Sequence, residues 1–190
     1  MTAVSPTPRR LRTALFAVML AVAVLAVAGE AYYRRGEAHL GGWLVREIHG
    51  AWVWSDPDRP DFHFILDGNA MGLRISYGCS TSILVLPILL SSALCLRGGR
   101  GSVRQVLAAT LAAVTVVFSA NLLRLVVIAG FVGDWGAGAG FGWGHTVFGS
   151  VIVLGGVLIA YFLYVRILFR AAPEGTPEVE EKEATPVMSR

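Results

Sequence analysis

The chain has 190 residues, 55% of them hydrophobic and 15% charged, with a formal net charge of +3 at pH 7. A mean hydropathy of +0.62 leaves too few polar side chains to coat a water-soluble globule of this size, which excludes an ordinary soluble domain and makes the bilayer the solvent. The basic balance comes from arginines beside apolar runs, with a single lysine in the whole chain, and reads as membrane topology rather than nucleic-acid binding.

Arg9, Arg10 and Arg12 open the first apolar run, Leu11 to Ala28, which predicts a membrane helix. Ala26-Val27-Ala28 also suits a signal peptidase, so the run is either an anchor or a cleaved signal; both put the next segment outside. Residues 34–78 hold five arginines, interleaved acidic residues, Trp43, Trp52, Trp54 and the turn-rich Ser55-Asp56-Pro57-Asp58-Arg59-Pro60, and such a stretch cannot cross a bilayer. It reads as an extracytoplasmic loop of about 45 residues, with the tryptophans as interfacial anchors. Within it, Phe62 to Leu66, the turn Asp67-Gly68-Asn69 and Leu73 to Tyr77 predict a small β-hairpin.

A second span is expected from Cys79 to Leu96, with Pro87 as a site for a kink, followed by Arg97, Arg100 and Arg104 in a glycine-rich turn. The third, Val106 to Val132, carries Ser119, Asn121 and Arg124. Gly133 to Gly144 reads as a glycine-rich link that leads through His145 into a last span, Val147 to Phe169, closed by Arg166 and Arg170. The remaining Pro-, Glu- and Thr-rich tail reads as disordered. The expected fold is an all-α membrane protein with about four transmembrane helices. Its parts are a basic N-terminal segment with the first helix (1–33), the extracytoplasmic loop (34–78), a three-helix core (79–170) and a cytoplasmic tail (171–190). The arginine bias puts both termini and the 97–104 turn on the cytoplasmic side of the cell membrane.

This topology brings three residues to one leaflet: Cys79 opens the second span, Arg124 lies in the outer part of the third, roughly 12 Å deep, and His145 opens the fourth. A thiol is a good nucleophile only as thiolate, which a neighbouring cation or base favours. Arg124 keeps its proton, so it can hold a fixed charge beside a thiolate or an oxyanion but cannot act as a base; His145 can move protons. Each residue also has a plainer reading, since cysteine packs as a small apolar side chain and an interfacial histidine is often only solvated. Cys95, His39, His49 and His63 keep that plainer reading. An arginine within a membrane costs about 2.5–3.5 kcal/mol and calls for a partner or a task. Asn121, three residues earlier on the same helical face, is placed to orient Arg124 or to satisfy its donors, and Ser80 adjoins the cysteine.

Gly78-Cys79-Ser80, Asn121-Leu122-Leu123-Arg124 and His145-Thr146-Val147-Phe148-Gly149, in this order and each at the outer side of its own span, resemble the exosortase/archaeosortase family. The likeness covers residues 70–165. It implies a multi-span membrane cysteine transpeptidase that cleaves a C-terminal sorting signal, a short motif followed by a hydrophobic helix and a basic end, from exported proteins outside the membrane. Cys79 would then be the nucleophile, Arg124 the electrostatic stabiliser and His145 the proton carrier, with lipid, glycan or water as acyl acceptor. Thr81 departs from the pattern, standing where the family often has glycine.

Two other readings stay open. A non-catalytic scaffold, or a degenerate homologue, would pair Arg124 with a partner helix or a lipid headgroup. A membrane thiol oxidoreductase is disfavoured, because there is no C-x-x-C pair and Cys95 lies roughly 24 Å from Cys79 along one helix. No metal, nucleotide or flavin motif is present, and no cofactor is expected. The glycines at 130, 133, 136, 138, 140, 149, 155 and 156 read as internal packing, with close approach of a substrate helix as the alternative.

Overall fold

Five helices and one three-stranded sheet are described for residues 9–169 of a computed structural model. The expected tail, 171–190, lies outside the described residues. Helix α1 (Arg9–Ala28) is apolar from Ala14 onward, after an arginine-rich first turn, and stops at Gly29, where α2 (Glu30–His49) begins. The first twenty residues of the expected loop are therefore mostly helix. Ala38, Gly41, Gly42 and Val45 recur at helical spacing and form the buried face of α2, a pattern masked in the sequence by the charges on its other side. Gly50, at φ +66°, supplies the left-handed residue that ends the helix.

The expected hairpin is present but shifted, and it carries a third strand. β1 (Trp52–Ser55), β2 (Asp61–Leu66) and β3 (Asn69–Arg74) pair antiparallel in the order β1-β2-β3. Asp67 and Gly68 both have positive φ, 49° and 79°, as a two-residue primed turn requires. Asn69 therefore already belongs to the returning strand, which ends at Arg74 rather than Tyr77. Phe62, Phe64 and Leu73 point inward. They meet Val45 of α2 together with Leu125, Ile128 and Val132. Trp52 and Trp54 point outward and remain exposed, as does Trp43 on α2, where an interfacial anchor would sit.

After a 3₁₀ turn (Tyr77–Cys79) come α3 (Thr81–Arg97), α4 (Val103–Trp135) and α5 (Gly149–Leu168). Cys79 thus precedes its helix. Ser80 caps α3 through Ser82 N, and a capping box between Ser102 and Gln105 starts α4. The expected link at 133–144 is helical as well: α4 runs on to Trp135, and two π-helical stretches, Gly136–Gly140 and Gly142–Phe148, turn the chain back into α5. A Cβ at Gly140 would strike the carbonyl of Phe131, and one at Gly144 would sit 3.2 Å from Ile128 Cα, so these glycines let the wide turns lie against α4. Gly156 likewise packs directly against Ala120, Gly130 against His49 and Gly133 against Leu66, while Gly138 and Gly155 face open space.

Three helical stretches, Arg9–Ala28, Val103–Gly140 and Gly142–Leu168, are long and apolar enough to cross a membrane; α3 is apolar but shorter. A second core joins α1, α3, α4 and α5 through Ala23, Ile88, Val106, Val117 and Ala160. Within it Ser92 bonds Thr110 at 2.6 Å and Tyr164 at 3.1 Å, which satisfies three buried hydroxyls across three helices. Arg12 donates to the carbonyl of Gly101, Arg97 lies over the Phe16 ring, and Leu168 abuts Gly101. The start of α1, the α3–α4 turn and the end of α5 therefore gather at one end of the helices, with the sheet at the other.

Candidate functional site

Cys79, Arg124 and His145 come together. Arg124 is 8% exposed, and its Nη2 donates to the Cys79 sulfur at 3.4 Å and contacts His145 Nε2 at 2.8 Å; the sulfur and Nε2 are 3.9 Å apart. A guanidinium is always a donor, so the 2.8 Å contact is a hydrogen bond only if His145 Nε2 presents a lone pair, with the ring proton on Nδ1. One cation thus supplies a proton donor to both the sulfur and the imidazole. Phe141 stacks on the His145 ring, centroids 5.0 Å apart, and fixes its plane.

Each group is held by its own element. The 3₁₀ turn, closed by Cys79 N–H to Ser76 O, presents the sulfur just ahead of α3. Arg124 stands between Leu122 and Leu125 of the core that packs on the sheet, three turns of helix (about 17 Å) before the end of α4. Gly149 makes room for it: a Cβ there would sit 3.0 Å from Arg124 Nε, 3.2 Å from its Cγ and 2.9 Å from the Gly144 carbonyl. Gly149→Ala should therefore displace the guanidinium while the protein still accumulates. We expect the rate of Cys79 alkylation by chloroacetamide to fall about tenfold, an effect of roughly 1.4 kcal/mol; an unchanged rate would mean that Arg124 does not set the thiol's reactivity.

Asn121 does a different job from the one expected, and Ser80 shares it. Asn121, 1% exposed, donates from Nδ2 to Glu37 at 3.0 Å, and among the described residues no hydrogen bond joins it to Arg124. Ser80, fully buried, donates to Glu37 Oε2 at 3.0 Å. Both serve Glu37, which the sequence did not single out. This carboxylate, 2% exposed on α2, also accepts the Thr81 N–H at 3.1 Å, so it ties the start of α3 to α4 from beneath the cysteine. A carboxylate at a helix N-terminus satisfies donors that the helix cannot and favours its dipole. Nearby, burial and then the charge of Glu37 push the Tyr33 phenol up to about 12.

These bonds also occupy the amides nearest the sulfur. Thr81 N–H goes to Glu37, Ser82 N–H to Ser80 Oγ, and the amides of Cys79 and Ser80 go back to Ser76 and Tyr77. In this conformation Arg124, which already donates to the sulfur, is a side-chain donor placed for an oxyanion beside Cys79. Thr81 is fully buried.

A cavity of about 250 Å³ opens onto the three groups. β3 with Ile75, Cys79, the α4 residues Arg124, Leu125 and Ile128, and Phe141 with His145 line it. Among the remaining histidines, His49 bonds the Val126 carbonyl, His39 the Arg35 carbonyl, and His63 packs on Trp54. Cys95 is free and takes a weak hydrogen bond from Tyr164. Among the described residues no three His, Cys, Asp or Glu side chains gather as ligands for a metal ion. No protein-family model, no curated protein and no solved structure matches the chain.

Proposed function

We propose that the protein is a membrane-embedded cysteine transpeptidase or peptidase of the exosortase/archaeosortase kind, cleaving a C-terminal sorting signal of exported proteins at the outer face of the cell membrane. The observation that carries this reading is the single guanidinium of Arg124 bonded at once to the sulfur of Cys79 and to Nε2 of His145. As the Arg124 N–H turns from His145 Nε2 to the sulfur, the freed Nε2 lone pair takes the Cys79 thiol proton, and Arg124 stabilises the resulting thiolate. The thiolate attacks the scissile carbonyl carbon, and Arg124 donates to the oxyanion that forms. As the C–N bond breaks, the departing amine takes the proton from His145, leaving a thioester on Cys79. Water, or the amine of a lipid or glycan, then gives its proton to His145 as it attacks the thioester, and the thiolate is restored.

In this reading α3 is also a span, second in chain order and bringing the total to four, its 17 residues (about 26 Å) extended by the turn that holds Cys79. Arginines at the start of α1, in the α3–α4 turn and at the end of α5 lie at one end of the helices, which supports a cytoplasmic end there, cytoplasmic termini and an outer sheet and cavity. The test is co-expression with exported proteins that carry a C-terminal hydrophobic helix and a basic end, followed by mass measurement of their C-termini. A new C-terminus just ahead of the hydrophobic helix that requires Cys79 supports the reading. A scaffold predicts no new terminus, and predicts that Arg124→Ala disrupts assembly whereas Cys79→Ala is silent.

A further inference from the structure

β3 is the last strand of its sheet, and its free edge faces the cavity that Cys79 lines. The alternation of an antiparallel ladder fixes which backbone groups point there. Leu66 and Asn69 close the two-residue turn as a hydrogen-bonded pair, so Phe64 with Met71 and Phe62 with Leu73 also exchange bonds. The 2.8 Å bond from Ile75 N–H to the Pro60 carbonyl continues the same phase. Proline has no N–H to return the bond, and Arg34 Nη1 donates to the Ile75 carbonyl instead, at 3.2 Å. The N–H and C=O of Gly72 and Arg74 therefore turn away from β2, toward the cavity, and have no hydrogen-bond partner among the described residues.

A row of donors and acceptors at strand spacing is complementary to the backbone of another extended chain. The row lies on the wall of the cavity that holds the sulfur, the guanidinium and the imidazole, and β3 leads straight into the turn carrying Cys79. We infer that the substrate's peptide segment binds as a fourth strand on the free edge of β3, bonding the backbone of Gly72 and Arg74, and that this pairing delivers the scissile carbonyl to Cys79. The inference rests on the transpeptidase reading and adds the means by which peptide is recognised. Backbone pairing supplies the grip, and the cleft between β3 and Phe141 sets the direction of entry.

The test uses the full chain in its native membranes and an acetylated tetra-alanine chloromethyl ketone, whose chloride the Cys79 thiolate displaces to form a thioether that is read by mass. Two analogues carry backbone N-methyl groups in the two alternate registers, and chloroacetamide reports the thiol alone. In an added strand only every second N–H faces β3. One N-methyl register should therefore slow Cys79 labelling about tenfold, and the other should leave it within twofold of the parent. Proline is tolerated on an edge strand where its nitrogen faces outward, so Arg74→Pro should bring the parent probe down to the slow rate. Equal labelling by all three peptides, or equal slowing by both registers, would overturn the strand pairing while leaving Cys79 as a nucleophile. Failure of chloroacetamide itself to label Cys79 would overturn both.

Discussion

Replacing Cys79 by alanine should lower substrate processing by at least about 10³-fold, roughly 4 kcal/mol of transition-state stabilisation, with membrane insertion unchanged. The size follows from the chemistry. Arg124 cannot accept a proton, and the proposed mechanism uses His145 only to move protons, so the acyl intermediate depends on Cys79. The fold should not suffer, because Cys79 is only part-buried and its contacts with Arg124 and His145 are those of the reacting groups themselves. Cys79→Ser is the sharper variant: it preserves shape and hydrogen bonding yet needs a far stronger base, and should be nearly as inactive. Processing that persists in both variants would remove the nucleophile from the account.

The second large effect belongs to Glu37. Glu37→Ala would leave the Thr81 N–H and the Asn121 amide without their acceptor at sites 0% and 1% exposed, and would leave the Ser80 hydroxyl only Ser82 Oγ to bond. Each buried donor left unpaired costs about 1–3 kcal/mol. With partial relaxation the loss should be about 3–5 kcal/mol, which lowers the thermal midpoint by about 10 °C or more for a chain of this size. Glu37→Gln keeps the shape but turns one acceptor into a donor facing other donors, and should fall in between. Because Glu37 fixes the residue that follows Cys79, chloroacetamide labelling of Cys79, measured well below the midpoint, should slow in both variants. A normal rate in folded Glu37→Gln would make the carboxylate a matter of stability alone.

The three groups that meet at the cavity were legible in the sequence because each broke a local rule. Arg124 interrupts an apolar run, and Cys79 and His145 sit at the borders of others. Glu37 broke none, being one acid among several in a polar stretch; its importance arises from burial by Gly41 and Gly42, which bring α2 onto Leu125 of α4 and onto Phe62 of the sheet. The role given to Asn121 from helical spacing failed for a related reason. Its Nδ2 reaches across to the buried carboxylate of another helix rather than along its own, and its Oδ1, the atom that could accept from Arg124, has no hydrogen-bond partner among the described residues. Glycines misled in both directions. At 133–144 their density suggested a loop, yet packing against α4 holds them in helical turns. At 67–68 the Asp-Gly pair fixed the hairpin, but reading Asn69 as part of the turn moved the second strand. β1 was missed because four residues next to a proline-rich turn carry little alternation to read.

The most direct measurement is of the bond on Cys79 itself. The full chain, working on a co-expressed substrate in membranes, is quenched in acid detergent and its intact mass recorded before and after hydroxylamine. The account predicts an adduct equal to the N-terminal portion of the substrate, attached at Cys79 and released by hydroxylamine as a thioester would be. New substrate C-termini accumulating while Cys79 stays free at every quench time, or an adduct carried by a different residue, would contradict it.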